Sequence, residues 1–171
     1  SALADRQRLA NTLAKGSRTG ALPRMAMHQL MHAIGEESAR VAGNGELAAV
    51  DAPFEVKSPQ PSTVNQRVPR VLFQTNKTTR VGARAWSHVC RFFEHNPSYS
   101  YHFFDDARCA KLLEEHFEHE VVEAFHALRA GAAKADLWRY CALYACGGVY
   151  LDLDSAIAGP LDAEPRQLHF W

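Results

Sequence analysis

Two aspartates one residue apart, Asp152 and Asp154, close the run Gly147-Gly148-Val149-Tyr150-Leu151. An apolar strand over 149–153 brings both carboxylates out at its end and on one face, because strand side chains alternate with period two. Two hard oxygen donors on one face suit Mg²⁺ or Mn²⁺, which keep coordination positions for water and for a substrate's phosphates. The spacing alone is a weak signal, since a chain with eight aspartates in 171 residues meets D-x-D by chance about 0.4 times. Position adds weight: charges that end a buried strand are costly to desolvate unless a cation or hydrogen-bond donors meet them. A solvated turn after the strand is the competing reading. A second polar set, Lys134, Asp136 and Arg139, falls in the first turns of a helix whose remaining residues are mostly apolar. Asp136 and Arg139 are i, i+3 neighbours, able to pair with each other or to orient a sugar hydroxyl or a phosphate.

The elements that position these groups follow from hydrophobic period and breakers. Val68 to Gln74 reads as a short buried strand. Residues 82–95 read as a helix with Trp86, Val89, Cys90 and Phe93 on one face, stopped by Asn96-Pro97. The aromatic run at 99–104 reads as a second strand, and Asp105 or Asp106 caps a helix to about Phe117. A helix over 119–129, a break at Gly131, and a helix over 132–146 ending at Gly147-Gly148 lead into the third strand. Strands alternating with helices of this length give an α/β, mostly parallel, doubly wound sheet, with ligands expected beyond the carboxyl ends of its strands at 74–77 and 152–155. Upstream, residues 4–15 and 23–42 read as two helices, the second with an apolar stripe at Met27, Leu30, Met31 and Ile34. Gly43, Gly45, Pro53, Pro59 and Pro61 mark a solvated linker. The expected organisation is a helical extension over 1–50, a Pro-rich linker over 51–67 and one α/β domain over 68–171.

Composition narrows the function classes. Lys plus Arg and Asp plus Glu number 19 each, for a formal net charge of zero, so no long-range field gathers nucleic acid or anionic lipid, and neither partner is expected. No apolar run reaches the ~20 residues of a membrane helix. Cys90, Cys109, Cys141 and Cys146 form no zinc-like pair, and Cys141 and Cys146 read as small buried hydrophobes. His28 and His32 stand one turn apart without a third ligand. His116, His119, Glu120, Glu123 and His126 lack the second histidine of HExxH and read as a solvated helix face. Strand-DxD also opens a phosphatase reading of haloacid-dehalogenase type, with Asp152 as nucleophile and Asp154 as general acid. That scheme wants Thr or Val where Ala156 stands.

The ordered set Val68-Pro69-Arg70-Val71-Leu72-Phe73-Gln74-Thr75, Asn96-Pro97-Ser98-Tyr99, Asp105-Asp106, Lys134-Ala135-Asp136-x-x-Arg139-Tyr140, Gly147-Gly148-x-Tyr150-x-Asp152-x-Asp154 and Gly159-Pro160-Leu161-Asp162 resembles the DXD sugar transferases, glycosyltransferase family 32. The resemblance covers about residues 68–163. It implies a GT-A (Rossmann-like) nucleotide-sugar-binding domain, a divalent ion (Mn²⁺ or Mg²⁺), and retaining transfer of a hexose from a UDP- or GDP-sugar to a glycan or lipid acceptor. By motif, Asp154 would ligate the metal and Asp152 the metal or the ribose. Asp136 and Arg139 would hold the donor sugar and its phosphate, and Gln74 and Thr75 would border the nucleotide. Phe73 and Asn76 stand where the family usually has His and Trp. Family domains continue well past the Pro-Leu-Asp segment, so little turnover is expected of these 171 residues alone, and a degenerate nucleotide-sugar binder is a further alternative. An N-terminal anchor in a longer parent would place the domain in the Golgi or secretory-pathway lumen.

Overall fold

The computed structural model describes residue 29 and residues 31–36, 49–58 and 68–161. Six strands are present among these residues, β1 (Ala49–Asp51), β2 (Glu55–Val56), β3 (Val71–Thr75), β4 (Arg80–Gly82), β5 (Ser100–Phe104) and β6 (Val149–Tyr150). Besides the helical residues 31–36, helices α1 (Ala83–His95), α2 (Asp106–His116), α3 (His119–Ala127) and α4 (Gly131–Cys146) accompany them. The main sheet has the order β2-β5-β3-β6. β3 lies parallel to both β5 and β6, β2 is antiparallel on the β5 edge, and β1 and β4 form a separate antiparallel pair. Of the expected α/β, mostly parallel, doubly wound arrangement, the α/β class with a partly parallel sheet is present.

Strand alternation sorts the core onto the two sheet faces. Leu72, Tyr101 and Phe103 pack with Trp86, Val89, Cys90, Phe92 and Phe93 of α1. On the other side Phe73 and Phe104 meet Leu112 and Leu113 of α2, Phe125 of α3, and Trp138 and Cys141 of α4. The apolar face expected of α1 is buried as read, with Phe92 added to it. Asp105 caps α2 through a 2.9 Å bond from the Arg108 amide.

Three expectations are corrected. Residues 49–58, read as parts of the extension and the linker, carry β1 and β2 and bury Val50, Ala52 and Val56. Strands of two or three residues beside prolines are too short to display a period, so composition dominated the reading. The strand expected over 149–153 ends at Tyr150. Gln74, expected at the nucleotide, is 2% exposed and accepts a 3.1 Å bond from the Tyr101 hydroxyl, on the α1 side of the sheet. Upstream, residues 31–36 are helical, and the carbonyl of fully buried Met31 accepts the Trp86 indole N–H at 3.0 Å. His32 pairs with Glu94 at 3.1 Å. The helix read over 4–15, and Met27, His28 and Leu30, lie outside the described residues.

Asn96 does more than stop α1. Its amide donates to the Phe92 carbonyl at 3.0 Å, and its carbonyl oxygen accepts from the Leu161 amide at 2.8 Å, which ties down the segment that follows the DxD motif. Asn96→Ala is expected to cost about 2 kcal/mol in urea unfolding, because the Leu161 N–H loses its partner.

A cross-strand pair, Glu55 and His102, is buried on the β2–β5 ladder with Nε2 and Oε1 3.9 Å apart. Burial pushes His102 down to about 4, and Arg108 and Lys57 add to the shift; burial pushes Glu55 up. The unfolded histidine takes a proton near pH 6.5 that the folded one refuses until about 4. Stability present above pH 6.5 is therefore lost as pH falls through that window, by about 3 kcal/mol at most. Glu55 acts in the opposite sense, since the folded chain keeps its proton to higher pH, and offsets part of the loss. Urea melts between pH 7 and 4.5 are expected to show this decline, and His102→Gln to flatten it.

Candidate functional site

A hollow of about 760 Å³ opens at the carboxyl ends of the parallel strands, the place doubly wound sheets reserve for ligands. Thr75, Asn76 and Lys77 beyond β3, Asp106 beyond β5, and Asp152, Leu153 and Asp154 beyond β6 all line it. The first turn of α4 adds Lys134, and the α3–α4 connection adds Arg129. Leu151, Leu153 and Ile157 pack against the α1-side core. The in–out alternation thus persists past the end of β6, and Asp152 and Asp154 reach one hollow although neither belongs to a strand.

The two glycines before β6 set this geometry. Gly147 and Gly148 have φ of 68° and 94°, values that favour glycine. A Cβ on Gly148 would stand 3.0 Å from both the Phe73 ring and the Val71 carbonyl oxygen.

Asp152 is held from two sides. Its Oδ1 accepts from Arg139 Nη2 at 3.2 Å and from the Tyr150 hydroxyl at 3.2 Å. Tyr150 has one proton to give, so Thr75 Oγ1, 3.0 Å from that hydroxyl, donates to it. The chain Thr75–Tyr150–Asp152 thus runs from the end of β3 to the DxD motif. Burial pushes the Tyr150 phenol up to about 12, so it remains a donor at neutral pH. Arg139 lies over the Tyr150 ring at 4.6 Å and binds Asp136 Oδ1 at 2.7 Å. Asp154 has no side-chain bond among the described residues, and only Oδ1 of Asp152 is engaged. At least one oxygen of each carboxylate is therefore open toward the hollow, a donor set that fits Mn²⁺ or Mg²⁺. Among the described residues no group of three or more His, Cys, Asp or Glu side chains could cage an ion. Two carboxylates completed by a substrate's phosphates is the usual arrangement for Mg²⁺.

Of the residues expected from sequence, Thr75, Asp152 and Asp154 meet in the hollow. Asp136 and Arg139 connect to it through Asp152 without lining it, and Gln74 faces the core. Tyr150 and Asp106 carry no candidate role in the sequence reading, and Lys134 enters it only as a member of the polar set with Asp136 and Arg139. Tyr150 reads as one more apolar strand residue, and only its position two before Asp152 signalled otherwise. The remaining candidates are structural. Burial pushes all four free thiols up, Cys90 to about 11 and Cys146 to about 12, so none is a thiolate nucleophile at neutral pH. His119 and Glu123 pair with each other on an exposed face of α3, and His126 pairs with Glu114. Against the phosphatase reading, Asp152 shares one oxygen between two donors, which lowers its nucleophilicity.

No helix among the described residues is long and apolar enough to cross a membrane. The chain resembles the initiation-specific α-1,6-mannosyltransferase of Saccharomyces cerevisiae, at 33% identity over 79 residues, 45% of this chain and 16% of that protein. The Candida albicans protein of the same name is 35% identical over 69 residues, 39% of this chain and 18% of that one. An uncharacterized glycosyltransferase of Acanthamoeba polyphaga mimivirus is 37% identical over 59 residues, 34% of this chain and 24% of that protein. The matched stretches thus span a quarter or less of each relative. No solved structure matches. The model of the glycosyltransferase sugar-binding region containing the DXD motif matches residues 83–171, just over half of the chain and every residue from α1 to the DxD turn, and the chain belongs to that glycosyltransferase family.

Proposed function

We propose that the hollow binds a nucleotide-sugar with a divalent ion, Mn²⁺ or Mg²⁺, held by Asp152 and Asp154, and that the protein to which this domain belongs transfers the hexose with retention to a glycan or lipid acceptor. The observation that carries this reading is the convergence of both carboxylates on one hollow at the ends of parallel strands, in a chain of the DXD family. A GT-A fold is the finer architecture this supports.

In the transfer, the bond from the sugar's anomeric carbon to the pyrophosphate oxygen breaks and a bond to the acceptor oxygen forms. The proton of the acceptor hydroxyl passes to the departing nucleoside diphosphate. A divalent ion supplies Lewis-acid charge to the leaving pyrophosphate. The chain's own contribution is arrangement: Tyr150 and Arg139 fix Asp152 in one orientation before donor arrives, so little reorganisation remains when charge develops. The Arg139 guanidinium adds positive charge beside the motif, and Asp136, outside the hollow, holds that guanidinium from its other side.

Thermal unfolding with Mn²⁺ and a panel of UDP- and GDP-hexoses tests the reading. At least one donor is expected to raise Tm by several degrees at millimolar concentration, and the rise should vanish in EDTA. Equal melting with every donor would contradict it.

A further inference from the structure

The two carboxylates of the DxD motif are held in different ways. Arg139 and Tyr150 fix Asp152, whereas Asp154 has no side-chain bond among the described residues, so the backbone on either side of it sets its place. Upstream, the Leu151 amide donates to the Phe73 carbonyl at 3.3 Å, and the Ser155 amide closes a turn on the Asp152 carbonyl at 3.0 Å. Downstream, residues 155–160 alternate between half-buried and exposed, the period of extended chain, and Ile157 packs against the α1-side core. From Ala156 to Leu161 one hydrogen bond is present among the described residues: the Leu161 amide donates to the Asn96 side-chain oxygen at 2.8 Å. Asn96 lies between the end of α1 and the start of β5. The segment is therefore a strap that leaves the hollow at the carboxyl ends of the parallel strands and finishes at their amino ends. A five-residue strand such as β5 is about 17 Å long, and the seven residues that follow Asp154 reach about 25 Å at full extension. The strap has little slack.

From this arrangement we infer that Asn96 is a positioning residue for Asp154: it holds the far end of the strap and so fixes where the unbraced carboxylate stands in the hollow. The anchor is the buried amide, since Asn96 is 3% exposed, whereas the Leu161 side chain is 39% exposed and grips nothing comparable. Ile157 keeps the strap against the core, but an apolar contact is non-directional and sets no register along the sheet. A 2.8 Å hydrogen bond does set it. The second bond of Asn96, from its amide to the Phe92 carbonyl at 3.0 Å, fixes the side chain that makes the anchor. The inference rests on the reading of Asp154 as a metal ligand and deepens it by naming what places that ligand from the other end of the sheet.

Calorimetric titration of the full chain with GDP and with UDP, in Mn²⁺ and in EDTA, tests it at a temperature where circular dichroism shows every variant folded. Asn96→Ala removes the anchor and is expected to weaken binding in Mn²⁺ about tenfold while leaving binding in EDTA within twofold of wild type. Asn96→Asp keeps an oxygen for the Leu161 amide but loses the donation to Phe92 and buries a charge. It should melt no higher than Asn96→Ala and yet bind in Mn²⁺ within twofold of wild type, which separates placement of the ligand from stability. Leu161→Pro removes the N–H and leaves the Asn96 bond to Phe92 in place, so it should repeat the Asn96→Ala loss. Wild-type affinity in Mn²⁺ for Asn96→Ala or Leu161→Pro, equal losses in Mn²⁺ and in EDTA, or a loss in Asn96→Asp as large as in Asn96→Ala would overturn the inference. In each of those cases the proposed function would still stand if Asp154→Ala abolished the metal-dependent part of the binding. Wild type binding neither nucleotide more tightly in Mn²⁺ than in EDTA would overturn both.

Discussion

Arg139→Met is expected to weaken donor binding about a hundredfold while leaving the unfolding temperature within a few degrees of wild type. Methionine keeps an apolar stem and removes the charge, with its contact over the Tyr150 ring and its bonds to Asp136 and Asp152. Asp152, with a side chain 47% exposed, is resolvated by water, so the fold loses little. The diphosphate loses a cation and a fixed Asp152, and charge-assisted contacts of this kind are worth about 1.5–3 kcal/mol. The two ligands should respond in opposite directions. Mn²⁺ alone should bind the variant as tightly as wild type or better, since a competing cation has gone, whereas Mn²⁺ with donor should bind it far less. Arg139→Lys should recover part of the loss, because Nη2 alone meets both carboxylates and an ammonium also presents several donors from one nitrogen. Calorimetry with metal alone and with metal plus donor checks both arms. A parallel loss in the two would mean that Arg139 only supports the fold.

Gly148→Ala is the substitution expected to cost most stability, about 3–5 kcal/mol, read in urea or as a drop in Tm on the order of 10 °C. Two costs add at this position. A backbone φ of 94° is one that L-residues rarely adopt. The new methyl group would also stand 3.0 Å from a carbonyl oxygen of β3, a backbone atom in the middle of the sheet that cannot move aside. Because Gly148 sets the path into β6, donor binding should fall along with stability. Gly159→Ala, with open space around its Cβ, is the matched control and should change neither.

What the sequence disclosed and what it hid follow from the length and chemistry of each signal. Helices of nine residues or more carry several turns of apolar period and explicit punctuation. α1 was legible from Trp86 to Asn96, α2 from its Asp105 cap, and the end of α4 from Gly147-Gly148. Strands β1 and β2, at three and two residues, show no period, and their prolines argued for linker. Gln74 illustrates a different limit: alternation says that neighbours face opposite ways but not which face holds the ligand, and Thr75 took the hollow while Gln74 took the core. The DxD pair lines one hollow although the strand ends at Tyr150, since the alternation outlasts the strand. Asn96 was legible as a helix stop, but its bond to Leu161, 65 residues away, has no local trace.

On the proposed function, Asp152 and Asp154 together hold a divalent ion against a nucleoside diphosphate in the hollow beyond β3 and β6. Its most direct test is calorimetric titration of the full chain with GDP and with UDP, in Mn²⁺ and in EDTA, for wild type and Asp154→Ala. Wild type is expected to bind at least one nucleotide in Mn²⁺ and about a hundredfold more weakly in EDTA, and Asp154→Ala in Mn²⁺ to bind no better than wild type in EDTA. Metal-dependent binding that survives intact in Asp154→Ala would contradict it.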